Sequence, residues 1–381
     1  MLTLGIIITI STLLLIKWLE KQKTPFIKTI LDWFPAILFA YVMPAAVCYI
    51  SGIDLSQIEL HRWSRDFIMP LAILTVMSAL SFRQLRVIGI RPIVLFFLGS
   101  FAVAVAPVAL IWLAKIFLPE WYHLVISQDY WKGLIPIVGS WIGGSTSQLV
   151  LKEVVDCPDQ LFITMLVMDN VLVNIWTLLM FQFIKKSDLW NKWFKIDDKV
   201  PDFIPDQVDL SSGHRKSLIN TGLICLLILF LSYFFVPNFL VKILLLSAIG
   251  LLLGNVISTW DHAFVLKIGG YLIIMIMAIL GLRLNFESFH LPASIVLFAV
   301  VWIIIHFIVM LAGAIIMKLH FAWIAIGSMA NVGGISTAPA VTAAYNEEWM
   351  PYAVILAILS MVSGTTWGLF TIWLMGLLTG M

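Results

Sequence analysis

Twelve apolar runs, most of them about twenty residues long, follow one another along the chain, near residues 2–18, 29–51, 64–81, 91–117, 130–155, 159–184, 217–235, 239–257, 263–282, 292–317, 321–345 and 351–378. Crossing the hydrocarbon core takes a helix about this long, so the repetition predicts an all-α polytopic membrane protein. Composition agrees, since 61% of the residues are hydrophobic and only 12% are charged. A net charge of +2 gives no reason to expect nucleic acid as a partner. Cys48, Cys157 and Cys225 show no metal-ligand spacing, so neither a zinc site nor a disulfide framework is expected. The first run has no basic region ahead of it and is followed by Lys17, Trp18, Glu20, Lys21 and Lys23 rather than a cleavage site. It reads as a retained first span.

Two of the runs are interrupted. Gly139 to Ser147 reads Gly-Ser-Trp-Ile-Gly-Gly-Ser-Thr-Ser, and Gly327 to Ala340 reads Gly-Ser-Met-Ala-Asn-Val-Gly-Gly-Ile-Ser-Thr-Ala-Pro-Ala. Lipid offers no water to an unpaired backbone, so such stretches are tolerated at membrane depth only inside protein or along a polar cavity. Close helix packing would explain the glycines, but it requires neither the clustered hydroxyls nor Asn331 and Pro339.

Charge bears on how the broken segments lie. With twelve crossings the 23 Lys and Arg residues divide 10 against 13 between the two faces. With segments 130–155 and 321–345 as re-entrant hairpins, ten spans remain and the division becomes 16 against 7. The positive-inside rule then puts the linker 185–216 in the cytoplasm and both termini outside, and the repeats 1–184 and 217–381 become inverted. An arm of ten residues rises about 15 Å, half of the roughly 30 Å core, as a hairpin requires. The alternative is twelve spans with two discontinuous crossing helices. Leu189 to Ile196, with Trp190, Trp193 and Phe194, reads as an interfacial amphipathic piece of the linker.

The halves echo each other. Met77 to Arg83 answers Met277 to Arg283, Pro92-Ile-Val-Leu-Phe answers Pro292-Ala-Ser-Ile-Val-Leu-Phe, and the two Gly-Gly breaks share one place in the order. These strings, followed in the first half by Met168-Asp169-Asn170, resemble an uncharacterised bacterial and plastid membrane family known only as a domain of unknown function. The resemblance runs over nearly the whole chain. That family is similar to the larger superfamily of bile-acid and sodium symporters, sodium/proton antiporters and related anion transporters, which implies inverted repeats with a panel domain and a core domain. The Gly-Gly tips are also similar to those of sodium-dependent glutamate and citrate symporters. Superfamily antiporters often carry paired acidic residues or Asn-Asp in a core helix. Asp169-Asn170 departs from that pattern and weighs against proton antiport.

Candidate site residues follow. After each Gly-Gly the second arm begins a helix whose free N–H groups suit an anion. The expected substrate-binding residues are Gly143, Gly144, Ser145, Thr146, Ser147, Asn331, Gly333, Gly334, Ser336 and Thr337. Their hydroxyls could equally serve only as helix caps. A carboxylate inside an apolar span is costly enough to mark function, and hard cations take oxygen ligands. Asp169, Asn170, Asn174, Ser363 and Thr365 are therefore the expected ion-binding residues, with sodium or a proton as coupling ion and no other cofactor or metal. A structural carboxylate is the competing reading of Asp169.

Other features are weaker. His306 is expected to be a packing residue rather than a proton relay, and Lys152 is expected to snorkel or to pair with Glu153. Gly250 to Gly254 is a small-residue packing motif and a candidate homodimer contact. Broken segments, internal symmetry and buried polar residues together point to a secondary transporter that imports a small anionic solute, a carboxylate or short peptide, across a bacterial inner membrane. A sodium/proton antiporter is the alternative within that class, and a non-transporting scaffold or receptor the alternative outside it. An enzyme is not expected, because no nucleophile, base and partner converge on one motif.

Overall fold

The computed structural model describes residues 1–22, 24, 36–80, 88–196, 215–257, 259–283 and 292–380, with only the backbone at 36–38, 215, 216, 336 and 347. Lys23, Lys28, Arg83, Arg86 and the linker stretch 197–214, which includes Lys199, lie outside the described residues. The chain is an all-α polytopic membrane protein. Among the described residues, nine helices are long and apolar enough to cross a membrane.

Two compact units emerge, and each draws on both halves of the chain. The first comprises Met1–Leu80, Pro158–Asn174 and Leu210–His290. The second comprises Ser81–Cys157, Ile175–Asp209 and Leu291–Met381. One boundary in each half precedes the fourth long helix, just after Leu80 and just after His290, while Pro158–Asn174 has no counterpart in the second half.

The first unit holds α1 (Leu2–Glu20), α2 (Ala36–Ser51) and α3 (Met69–Met77), the last continuing from the helical turn Leu60–Trp63 through a π-helical stretch, Ser64–Ile68. From the second half it takes three further helices in the same order. With five helices intervening in chain order, these are α9 (Arg215–Phe235), α10 (Phe239–Val256) and α11 (His262–Gly281). Side-chain caps start the last two: Asn238 accepts from Val241 N–H at 3.0 Å, and Asp261 accepts from Phe264 N–H at 2.8 Å. Gly250 and Gly254 bring α10 against α3, where a Cβ on Gly250 would lie 2.8 Å from Leu74 O and one on Gly254 would strike Ser78 O. The small-residue motif thus packs helices within this unit. Beyond the end of α3, Ala79 O meets His262 Nδ1 at 3.1 Å and Leu80 O accepts from Asn255 Nδ2 at 3.0 Å. Backbone groups that the helix leaves open are thereby satisfied.

The second unit contains α4 (Ile90–Phe117), the short α5 (Pro119–Ser127) and α6 (Tyr130–Val154). It also takes the later part of α7 (Asp159–Lys185), whose earlier part belongs to the first unit, and α8 (Ser187–Phe194). The second half contributes α12 (Ala293–Met317), α13 (Ala322–Val332), α14 (Gly334–Ala343) and α15 (Met350–Thr379). Trp141, Trp302 and Trp323 are fully buried here, with the Trp141 and Trp302 rings 4.6 Å apart. The amphipathic piece predicted at 189–196 falls largely on the helix α8. It leaves Trp193 76% exposed while Asn191 is buried and accepts from Phe321 N–H at 2.9 Å. Lys152 differs from the snorkelling expectation, because it is 5% exposed and its ammonium is 3.2 Å from Glu153. A carboxylate beside it makes burial of the charge tolerable, which apolar walls alone would not.

Candidate functional site

Both Gly-Gly breaks are sharp reversals. In α6 the helix is interrupted at Gly144, whose φ of 66° and ψ of −163° are open to glycine but not to ordinary residues. Residues 139 and 148 would be about 13 Å apart along a straight helix. Instead a Cβ on Gly139 would lie 2.8 Å from the backbone nitrogen of Gln148. The chain therefore folds back on itself, and 130–155 is a hairpin, although Tyr130–Val154 taken as one helix is among the nine long and apolar enough to cross. In the second break Gly334 takes φ 70°, and α14 packs back on α13 while both pack on α15. With eleven residues, α13 rises about 16 Å, half the depth of the hydrocarbon core.

The two tips are built alike. A Cβ on Gly143 would collide with the side chain of Ser147, and one on Gly333 with the hydroxyl of Thr337. In each hairpin, then, the first glycine leaves room for a hydroxyl four residues later, and the second supplies the turn. Neither Gly144 nor Gly334 has any atom within 4 Å of where a Cβ would stand.

Polar contacts tie both hairpins to neighbouring helices. Ser360 of α15 donates to Ile142 O at the first tip and lies 3.3 Å from Asn331 Oδ1 of the second hairpin. Thr365 Oγ1 donates to Ser147 Oγ at 3.1 Å, and a Cβ on Gly143 would lie 2.8 Å from Gly364 Cα, so the two backbones touch. Asn331 accepts from Ser100 Oγ at 2.9 Å and donates to Phe96 O at 3.2 Å, which fixes the first arm to α4. Ser363 is half-buried and turns its hydroxyl to Ser360 O at 3.4 Å. His306 lies between Gly99 O and Ser328 Oγ, each 3.0 Å away, and Ser328 also accepts from Trp176 Nε1 at 2.9 Å. Hence Nδ1 carries the proton to Gly99 O, while Ser328 donates to Nε2. Both ring nitrogens are used, as the packing reading of His306 requires.

Thr146 and Thr337 stand apart from this network. Their hydroxyl oxygens are enclosed and have no hydrogen-bond partner among the described residues. Elsewhere in the same unit, buried Ser100, Ser147, Ser187, Ser328, Thr342, Ser360, Thr365 and Thr371 all hydrogen-bond. Thr342, for instance, bonds back to Ala338 O, four residues earlier. Neither Thr146 nor Thr337 bonds back in this way.

The remaining candidates lie elsewhere. Asp169, Asn170 and Asn174 belong to the first unit, where Asp169 is 2% exposed and Asn170 Nδ2 donates to Leu166 O at 2.8 Å. Of Ser336, only the backbone in α14 is described. No group of three or more His, Cys, Asp or Glu residues suited to a metal occurs among the described residues. Ser100, Ser328 and Trp176 escaped sequence reading. The small pair Gly99-Ser100 inside an apolar span was the one available signal.

No curated protein matches the chain. The family described as "Protein of unknown function (DUF819)" matches residues 5–377. Because the match covers nearly all of the sequence, the chain belongs to the DUF819 family.

Proposed function

We propose that the protein is a secondary active transporter that imports a small carboxylate or short peptide together with sodium, by alternating access, across a bacterial cytoplasmic membrane. The observation that carries this reading is the pair of glycine-broken hairpins whose arms, half a membrane deep, converge on α15 with hydroxyls and helix starts at their tips. Two compact units, each drawing on both halves of the chain, support this reading, since alternating access requires two bodies. The likeness to the bile-acid and sodium symporter superfamily belongs to the same reading. Asp169, a buried carboxylate within an apolar helix, is assigned to the coupling ion.

The test is uptake by purified protein in sealed proteoliposomes, with a panel of labelled carboxylates, amino acids and short peptides, with and without an inward sodium gradient. Sodium-driven accumulation is expected, and Asp169→Asn should abolish it while leaving the melting temperature close to that of the wild type. Sodium/proton exchange in the absence of any solute, followed with a pH-sensitive dye, would favour the antiporter. No movement of solute or ion under either gradient would leave the scaffold or receptor reading.

A further inference from the structure

We infer that the hydroxyls of Thr146 and Thr337, one on the second arm of each hairpin, are the side-chain groups that hold the solute, and that the group they hold is a carboxylate. This rests on the transporter reading and narrows its site. Of the polar side chains described at the two tips, most are already engaged: Asn331 with Ser100 and Phe96 O, Ser147 with Thr365, and Ser360 with Ile142 O. These fix the hairpins to α4 and α15. Thr146, 7% exposed, and Thr337 are enclosed without a partner among the described residues. A buried hydroxyl left unpaired is a net loss to folding, and folded proteins seldom keep one without a use. Here one occurs on the second arm of each hairpin, Thr146 three residues and Thr337 four residues after the first glycine of its tip pair.

The chemistry selects the occupant. Each threonine lies in the opening turn of its arm, where backbone N–H groups have no partner within the helix and the helix dipole is positive. Hydroxyl donors beside such N–H groups suit an oxyanion, and carboxylate oxygens accept such hydrogen bonds. A cation would meet those N–H groups unfavourably. The open space where a Cβ of Gly144 or Gly334 would stand leaves the tips unobstructed.

The test exploits a sign that a structural role would reverse. In detergent-purified full-length protein, Thr146→Val and Thr337→Val keep side-chain shape and remove only the hydroxyl. Each should melt at or above the wild-type temperature without solute, whereas Ser147→Ala and Asn331→Ala should melt below it. Sodium succinate, citrate and glutamate, compared with sodium chloride, should raise the wild-type melting temperature. Each valine variant should bind the stabilising carboxylate about tenfold more weakly or worse. A lowered melting temperature in either valine variant would overturn the inference, since the hydroxyl would then serve the fold. Unchanged carboxylate affinity in both would overturn it equally. If valine variants transport a non-carboxylate solute as the wild type does, the inference fails while the transporter reading stands.

Discussion

Replacing Gly364 with Ala places one methyl group at the contact between α15 and the first hairpin. It would fall on the backbone nitrogen and Cα of Gly143 and 2.8 Å from Ser147 Oγ. Carbon atoms rest at about 3.5–4.0 Å, and backbone cannot swing aside as a side chain can, so α15 and the hairpin must separate by about 1 Å or more. Overpacking of this kind costs about 1–3 kcal/mol. The separation also stretches the 3.1 Å bond from Thr365 to Ser147, whose loss adds about 1 kcal/mol. Alanine returns about 1 kcal/mol through its better helix propensity. The net expectation is destabilisation by about 1–3 kcal/mol. Gly270→Ala is the internal control. It lies inside α11 with nothing within 4 Å of its Cβ position, so only the propensity gain of up to about 1 kcal/mol applies. Thermal melting of the two variants in detergent should therefore shift in opposite directions. A Gly364→Ala protein that melts at or above the wild type would refute the backbone contact on which the site geometry depends.

Ser328→Ala would leave Trp176 Nε1 and His306 Nε2 without the group they share, and should lower stability by about 1–3 kcal/mol in chemical denaturation. The Tyr345 phenol is held above its ordinary pKa by burial and then by its hydrogen bond to the Asp188 carboxylate and that group's charge. Its contribution should be intact below the ordinary tyrosine pKa and lost as pH rises through the folded-state value. Tyr345→Phe should accordingly remove one late-ionising phenol from an ultraviolet titration and reduce the alkaline stability loss of the wild type. A cysteine at Ser211, in the linker outside the described residues, should resist an impermeant thiol reagent in intact cells and react after lysis; labelling in intact cells would reverse the assigned orientation.

Sequence alone determined the class of protein and the places where its helices break. Both are local properties: hydropathy over about twenty residues reports a membrane solvent, and Gly-Gly followed by hydroxyls reports a backbone that cannot continue as a buried helix. Every apolar run predicted from the sequence coincides with at least one helix, and the reversals fall at Gly144 and Gly334 within the strings Gly139 to Ser147 and Gly327 to Ala340. Tertiary structure decided which polar groups are engaged and which remain. Ser100 meets Asn331 across 231 residues of sequence, and Trp176 meets Ser328 across 152, so no window of neighbouring residues contains either pair. The sequence presented Ser145, Thr146, Ser147 and Thr337 as equivalent hydroxyls. Only packing separates Ser147, bonded to Thr365, from Thr146 and Thr337, whose hydroxyls have no partner among the described residues.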